Sequence, residues 1–212
     1  MENMKLDESA MVWSAPPGER AGRPLLLALH GHNGDELQLT PAAAILPPEL
    51  VVVTPRAPFL EPGGWSWFEL SEHAGPAAAA SVTSQLLSWL DRQTGYTSYG
   101  VLGLSQGAAM AISLLRADPH RFDYALQLSG FAIDTTPDAA LAAVRPPMFS
   151  AHGDLDTVIP AERVAATSRF LRDHTRLTEK RYAQLGHAID PVEVLDAAAF
   201  IRAQLPPAAP AP

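Results

Sequence analysis

The chain has 212 residues and a mass of 22.6 kDa, and 47% of its residues are hydrophobic. This length fits one compact domain, and the apolar content is enough for a sizeable core, which excludes a wholly disordered chain. The formal net charge is −8, and an acidic chain without basic runs is a poor match for nucleic acid or an anionic membrane. There are no cysteines, which excludes disulfides, thiolate metal sites and cysteine nucleophiles.

The sequence shows no sign of export or membrane insertion. Its first residues, MENMKLDESAMVW, have no basic segment followed by an apolar one, so they do not resemble a signal peptide. The apolar run Leu25–Leu29 is far shorter than the ~20 residues that span a bilayer. We therefore expect a cytoplasmic protein with no membrane span.

Short apolar runs alternate with amphipathic stretches along the chain. Edge strands are predicted at 11–13 and 177–182, and buried strands at 24–29, 50–54, 99–104, 124–128 and 148–151. Helices are predicted at 76–94, 106–117, 160–173 and 191–203. This alternation predicts an α/β domain over residues 1–205, with a mostly parallel central sheet and helices on both faces. A mobile Pro/Ala-rich tail is expected at 206–212.

The pentapeptide Gly103-Leu-Ser-Gln-Gly107 carries the strongest catalytic signal. It matches G-x-S-x-G, in which a serine on a strand-to-helix turn projects its hydroxyl from the sheet. A predicted strand leads into Ser105 and a predicted helix leads out, which is the context that the motif requires. An ordinary turn with a helix-capping serine is the structural alternative.

A serine hydroxyl needs a base, and a histidine held by a carboxylate is a common one. Among the seven histidines, His187 is the candidate because it lies in a loop after a strand, where parallel sheets place their chemistry. The segment that begins at His152 follows another strand and offers two acids, Asp154 and Asp156. The residues alone do not separate these acids. The chain order serine, aspartate, histidine is that of α/β-hydrolases.

The segment Leu29-His-Gly-His-Asn-Gly-Asp35 follows the first buried strand and is a candidate for oxyanion binding. Acyl transfer develops a negative oxygen, which backbone N–H groups can stabilise. We assign one donor to the N–H of Gln106, the residue after the nucleophile, and the other to the N–H of His32. The two histidines of this segment, with Asp35 and Glu36 nearby, leave a metal site as the alternative.

Taken together, these stretches resemble the phospholipase/carboxylesterase family of α/β-hydrolases, which includes acyl-protein thioesterases and small bacterial carboxylesterases. The Pro-rich segment 55–58 and the Trp-Phe-acid motif within 64–69 also match that family. The resemblance spans roughly residues 24–190. It implies Asp156 as the acid, because the family's acid stands three positions after the glycine of His-Gly-x-x-Asp. It also matches His32 to the family's second oxyanion donor.

A covering segment over 61–76 is the only candidate lid, and no separate cap domain is expected. Three aromatic residues there are candidates to line an acyl pocket, with core packing as the alternative: Trp65, Trp67 and Phe68. His32 and Asn33 stand where the family often has a small or apolar residue and a glycine. These polar side chains at the acyl entrance favour small to medium acyl chains.

These features predict a serine hydrolase that cleaves carboxylic esters of small to medium acyl chains through Ser105, His187, Asp156 and an acyl-enzyme intermediate. The expected partner is a small-molecule ester, with no cofactor, no metal and no nucleic acid. An acyl-protein thioesterase or lysophospholipase would use the same machinery. A non-catalytic ligand-binding protein with this fold is the alternative from another class. The sequence leaves the oligomeric state open, a homodimer included.

Overall fold

The computed structural model describes residues 5–70 and 75–205, so the predicted tail at 206–212 lies outside the described residues. These described residues form nine strands, namely β1 (Val12–Trp13), β2 (Leu25–Leu29), β3 (Val51–Thr54), β4 (Phe59–Glu61), β5 (Gly64–Ser66), β6 (Tyr99–Leu104), β7 (Tyr124–Leu128), β8 (Pro147–Gly153) and β9 (Arg176–Tyr182). A seven-stranded sheet has the order β1-β3-β2-β6-β7-β8-β9. Within this sheet only β1 runs antiparallel to its neighbour, and β4 and β5 form a separate antiparallel hairpin. The predicted single-domain α/β fold is confirmed.

The helices follow the strands in chain order: α1 (Thr40–Ala43), α2 (Gly75–Asp91), α3 (Gln106–Ala117), α4 (Ala139–Val144), α5 (Ala161–His174) and α6 (Pro191–Gln204). Apolar side chains fill the space on both faces of the sheet. In β2, Leu25, Leu27 and Leu29 belong to one core cluster, whereas Leu26 and Ala28 belong to the other. Successive side chains of a strand point to opposite faces, so a strand buried on both sides reads as a continuous apolar run.

Sequence patterns missed the β4–β5 hairpin and the short helices α1 and α4. Each hairpin strand has three residues, which is too few for an alternating hydrophobic pattern to be recognised. The hairpin is held against the loop after β2, because the N–H of Trp65 donates to the carbonyl of Gly34 at 2.9 Å. The hairpin therefore gains its place from a tertiary contact.

The parallel strands point their carboxyl ends to one edge of the sheet, where the loops after β2, β6, β8 and β9 lie close together. These four loops carry the oxyanion, serine, aspartate and histidine segments predicted from the sequence. Within residues 5–70 and 75–205, no helix has the length and apolarity needed to cross a bilayer.

Candidate active site

Ser105 lies on a tight turn between β6 and α3, with φ 52° and ψ −112°. Such backbone angles are uncommon for a residue with a side chain and often mark functional positions. The flanking glycines allow the turn to form. A Cβ atom at Gly103 would lie 2.1 Å from the carbonyl oxygen of Gly107, and one at Gly107 would lie 2.1 Å from that of Leu29. Any larger residue at either position would displace the turn that carries Ser105.

The structure brings Ser105, His187 and Asp156 together in a row. Nε2 of His187 lies 2.9 Å from Oγ of Ser105, and Nδ1 lies 2.8 Å from Oδ2 of Asp156. The other carboxylate oxygen of Asp156 accepts the backbone N–H groups of Val158 and Ile159 at 2.8 and 3.2 Å. Burial opposes ionisation of Asp156, but these hydrogen bonds outweigh burial and hold its pKa below the usual value. The carboxylate is therefore charged and fixed in orientation.

Asp154, the competing acid, lies elsewhere. Its side chain is exposed and accepts a hydrogen bond from Nε of Arg181 at 2.8 Å. The side chain of Asp156 is only 1% exposed and contacts the imidazole of His187. Of the two acids that the sequence offered, the structure thus brings Asp156 into the row.

Sequence reasoning assigned no role to His152, yet this buried residue also contacts the acid. Nε2 of His152 lies 2.9 Å from Oδ2 of Asp156, off the direction of a well-formed hydrogen bond. Burial lowers the pKa of His152 in spite of the neighbouring carboxylate, which favours the neutral imidazole. The only sequence signal was its place four residues before Asp156, at the start of the same motif.

His32 and Gln106 line the cleft that contains Ser105. Within the described part of the chain, neither backbone N–H group has a protein acceptor. The loop that carries His32 runs alongside the nucleophile, since a Cβ atom at Gly31 would lie 3.5 Å from Cβ of Ser105. Two free donors beside the serine can stabilise a negative oxygen that forms on the attacked carbonyl.

The imidazole of His32 anchors this loop to the hairpin. Its Nε2 lies 2.7 Å from Oε2 of Glu61, and the hydroxyl of Ser66 donates to the other oxygen of that carboxylate at 2.5 Å. The hydrogen bond from Ser66, opposed by burial and aided by His32, lowers the pKa of Glu61. The hairpin missed by sequence analysis therefore supplies the acid that holds the side chain of His32.

The arrangement of the candidate ligands after β2 does not favour the metal site. Nε2 of the buried His30 accepts the N–H of Ala57 at 3.0 Å, and Nδ1 lies 2.7 Å from the carbonyl oxygen of Gly31. Both ring nitrogens are thus occupied by backbone groups. Across residues 5–70 and 75–205, no three His, Asp or Glu side chains are grouped to hold a metal ion.

A cleft of about 660 Å³ opens in front of Ser105. Of the three aromatic residues predicted for the pocket, Phe68 lines this cleft, and Trp65 and Trp67 are absent from its described walls. Trp67 is fully buried and its indole N–H donates to the carbonyl of His30 at 2.8 Å. Trp65 packs against the core on one side and under the guanidinium of Arg56 on the other. For these two residues the structure favours the packing alternative.

Comparison with known proteins shows the family of this chain. The profile of the phospholipase/carboxylesterase family matches residues 16–205. The chain belongs to the phospholipase/carboxylesterase family. Acyl-protein thioesterase 1 of Eremothecium gossypii is 29% identical over 181 residues, which cover 81% of this chain and 76% of that protein.

Solved structures of other proteins have the same fold as this chain. The carboxylesterase of Bacillus cereus matches with a TM-score of 0.78 and 24% identity, over 92% of this chain and 94% of that one. Acyl-protein thioesterase 2 of Zea mays matches with a TM-score of 0.75 and 23% identity, over 92% and 98% of the two chains. This carboxylesterase-family protein is accordingly an ester hydrolase with an α/β-hydrolase fold.

Proposed function

We propose that this hydrolase cleaves carboxylic esters of small to medium acyl chains, with Ser105 as nucleophile, His187 as base and Asp156 as the orienting acid. The observation that carries the proposal is the unbroken row of two hydrogen bonds, 2.9 Å from Ser105 to His187 and 2.8 Å from His187 to Asp156. An imidazole in this position can accept the hydroxyl proton on one nitrogen while its other N–H remains bound to the carboxylate.

The first half-reaction transfers the acyl group to the enzyme. Oγ of Ser105 attacks the carbonyl carbon and its proton moves to Nε2 of His187. The carbonyl oxygen becomes negative and accepts hydrogen bonds from the N–H groups of His32 and Gln106, each worth about 3 kcal/mol in related sites. The tetrahedral intermediate collapses, and the leaving alcohol takes the proton from His187.

The second half-reaction restores the enzyme. A water molecule attacks the acyl-serine ester and gives a proton to Nε2 of His187. The same two N–H groups hold the second oxyanion, and collapse of the intermediate returns the proton to Oγ of Ser105. The carboxylic acid is released. Every proton and bond in this cycle is supplied by the ester, water and the three side chains, so the cycle requires no cofactor.

The walls of the cleft support a limited acyl length. Apolar side chains line it beside Ser105, among them Leu104, Phe131 and Ile159. Polar side chains of His32, Gln38, Glu69 and Arg163 also line it. A long apolar chain would have to cover these polar groups without satisfying them, at a cost in binding.

Thioester hydrolysis is the second candidate reaction. Two of the relatives are named acyl-protein thioesterases, and the same row of residues can expel a thiol in place of an alcohol. The chemistry at Ser105 would be unchanged, so the shape of the cleft and the leaving group decide between the two substrates.

A kinetic panel tests both candidates. Purified enzyme is assayed with p-nitrophenyl esters from acetate to palmitate, beside an acyl thioester and a lysophospholipid. The proposal predicts that kcat/KM is highest at short or medium acyl length and falls towards palmitate. A preference for palmitate, or for the thioester over every oxygen ester of equal acyl length, would contradict it.

A further inference from the structure

One cation faces the cleft. Among the residues described as lining it, Arg163 is the only arginine or lysine. Arg163 stands in the first turn of α5, and its guanidinium carbon lies 3.8 Å from the centre of the Phe131 ring. Phe131 lines the same cleft as Ser105. The aromatic ring thus supports a positive charge inside the space where the substrate binds.

No described residue accepts a hydrogen bond from the guanidinium N–H groups of Arg163. Stacking on Phe131 occupies one face of the planar group, whereas its donors point outwards in the plane. Within the described chain, Arg163 has no hydrogen-bond acceptor and no acidic partner, and burial alone lowers its pKa. Arg56 and Arg181 differ from Arg163, because each is paired with a carboxylate.

The surroundings of Arg163 also favour an anion. Pro160 precedes α5 and offers no side-chain acceptor to the first turn, where its carbonyl accepts the N–H of Arg163 at 2.9 Å. The positive end of the helix adds to the guanidinium charge, and the exposed Glu162 of the same turn offsets part of it. Glu69 lines the cleft as well but forms no ion pair with Arg163 among the pairs of described residues. An anionic ligand would find both a bidentate donor and a helix start.

We propose that Arg163 binds a carboxylate of the substrate, so that the preferred esters carry a carboxylate remote from the ester bond that is cleaved. This inference rests on the proposed function, since it names the substrate class of the same cleft. The carboxylate could belong to the acyl part or to the alcohol part, and the two sources share one recognition chemistry. Because the interaction would be present before and during the reaction, it should mainly lower KM.

Matched ester pairs separate the two sources. For the acyl side, monomethyl adipate is compared with methyl hexanoate, in which a methyl group replaces the carboxylate. For the alcohol side, γ-acetoxybutyrate is compared with butyl acetate. The proposal predicts that one anionic ester is preferred over its neutral partner by about tenfold in kcat/KM, as expected for a charged hydrogen bond.

Substitutions test whether Arg163 causes the preference for the anionic ester. Arg163→Met keeps a long side chain over Phe131 but removes the charge, and should abolish the preference for the anionic ester over its neutral partner. Arg163→Lys should restore part of it. Arg169→Met removes the same charge from the exposed part of α5, outside the cleft, and should behave as the wild type. No anionic preference in the wild type, or the same preference in Arg163→Met, would overturn the inference.

A binding measurement keeps this test separate from the test of catalysis. Calorimetry with Ser105→Ala protein and the preferred anionic ester requires no turnover. The inference predicts binding that weakens about tenfold when Arg163→Met is added. Turnover of neutral esters without this binding would refute the role of Arg163 alone, whereas binding without any turnover in the wild type would refute the proposed function alone.

Discussion

The side-chain oxygen of Gln106 accepts the backbone N–H of Trp67 at 2.8 Å. The side-chain nitrogen of the same residue donates to the carbonyl of Phe68 at 2.6 Å. Gln106 is 1% exposed, so both bonds are shielded from water. Gln106, whose backbone N–H is a proposed oxyanion donor, therefore also connects the segment 67–68 to the start of α3.

Replacing the side-chain amide of Gln106 by a carboxylate tests the role of these two hydrogen bonds. In Gln106→Glu the shape is kept, but an ionised group cannot donate to the carbonyl of Phe68. We expect the free energy of unfolding to fall by about 1–3 kcal/mol, the usual cost of an unsatisfied buried group, and kcat/KM to fall with it. Urea unfolding and ester kinetics measure both. Gln93→Glu adds the same charge outside the cleft and loses only a longer bond to the carbonyl of Trp89, at 3.3 Å, so it should lose much less of both; equal losses in the two variants would contradict the assignment.

Asp154 and Asp156, the two acids in the loop after β8, allow a matched pair of substitutions. Asp156→Asn removes the charge that fixes His187 and should lower kcat by several orders of magnitude, about 10⁴ in the well-studied case of another fold. Asp154→Asn breaks only an exposed ion pair with Arg181, and such pairs contribute little. Steady-state kinetics on one ester ranks the two variants. If Asp154→Asn were the more damaged enzyme, the assignment of the acid would be wrong.

The oxyanion role that we propose for His32 belongs to its backbone N–H, which a substitution can remove. His32→Pro deletes the N–H group, and we expect kcat to fall by about 10²–10³. His32→Ala keeps the N–H but loses the contact with Glu61, so it should lose much less. Circular dichroism confirms that each variant is folded. Equal losses in the two variants would assign the effect to the imidazole and exclude the N–H as donor.

Glu193 makes stability depend on pH. It is fully buried in the first turn of α6, and its carboxyl oxygens have no partner within the described residues. Burial, aided by the charge of Asp190, raises its pKa to about 8. Between about pH 5 and about pH 8 the folded protein keeps this proton and the unfolded chain has lost it, so stability falls as pH rises, by up to about 1.4 kcal/mol per pH unit.

Glu193→Gln should remove this dependence, because the amide stays neutral at every pH. Urea unfolding at several pH values should show the variant gaining over the wild type as pH increases. Glu162→Gln makes the same charge change at an exposed position of α5 and should show no such trend. Parallel stability curves for Glu193→Gln and the wild type would rule out the raised pKa.

The fold and the central residues of the candidate site could be predicted from the sequence, and the reason is physical. Strands buried on both faces leave continuous apolar runs, and the turn at Ser105 requires glycines that a Cβ atom would displace. The choice of Asp156 needed the family resemblance, because a shift of two residues in one loop changes which carboxylate reaches the imidazole of His187. No periodic pattern carries that information.

Other parts depend on tertiary contacts that no local pattern encodes. Trp67 and Phe68 are adjacent and both pack in the core, yet only Phe68 also lines the cleft. Glu61 holds His32 across 29 positions of the chain. Arg163 resembles an ordinary solvent-facing residue of an amphipathic helix until Phe131 is placed beneath it. Such roles follow from how the loops meet at the edge of the sheet.

Covalent labelling tests the central claim most directly. The protein is treated with a fluorophosphonate, and the modified residue is identified by mass spectrometry while ester hydrolysis is followed in parallel. We predict one adduct, on Ser105, formed in step with loss of activity. Ser105→Ala should be folded, unlabelled and inactive, and Ser113→Ala, which alters α3 outside the cleft, should be labelled and active. An adduct on another serine, or ester turnover retained by Ser105→Ala, would contradict the account.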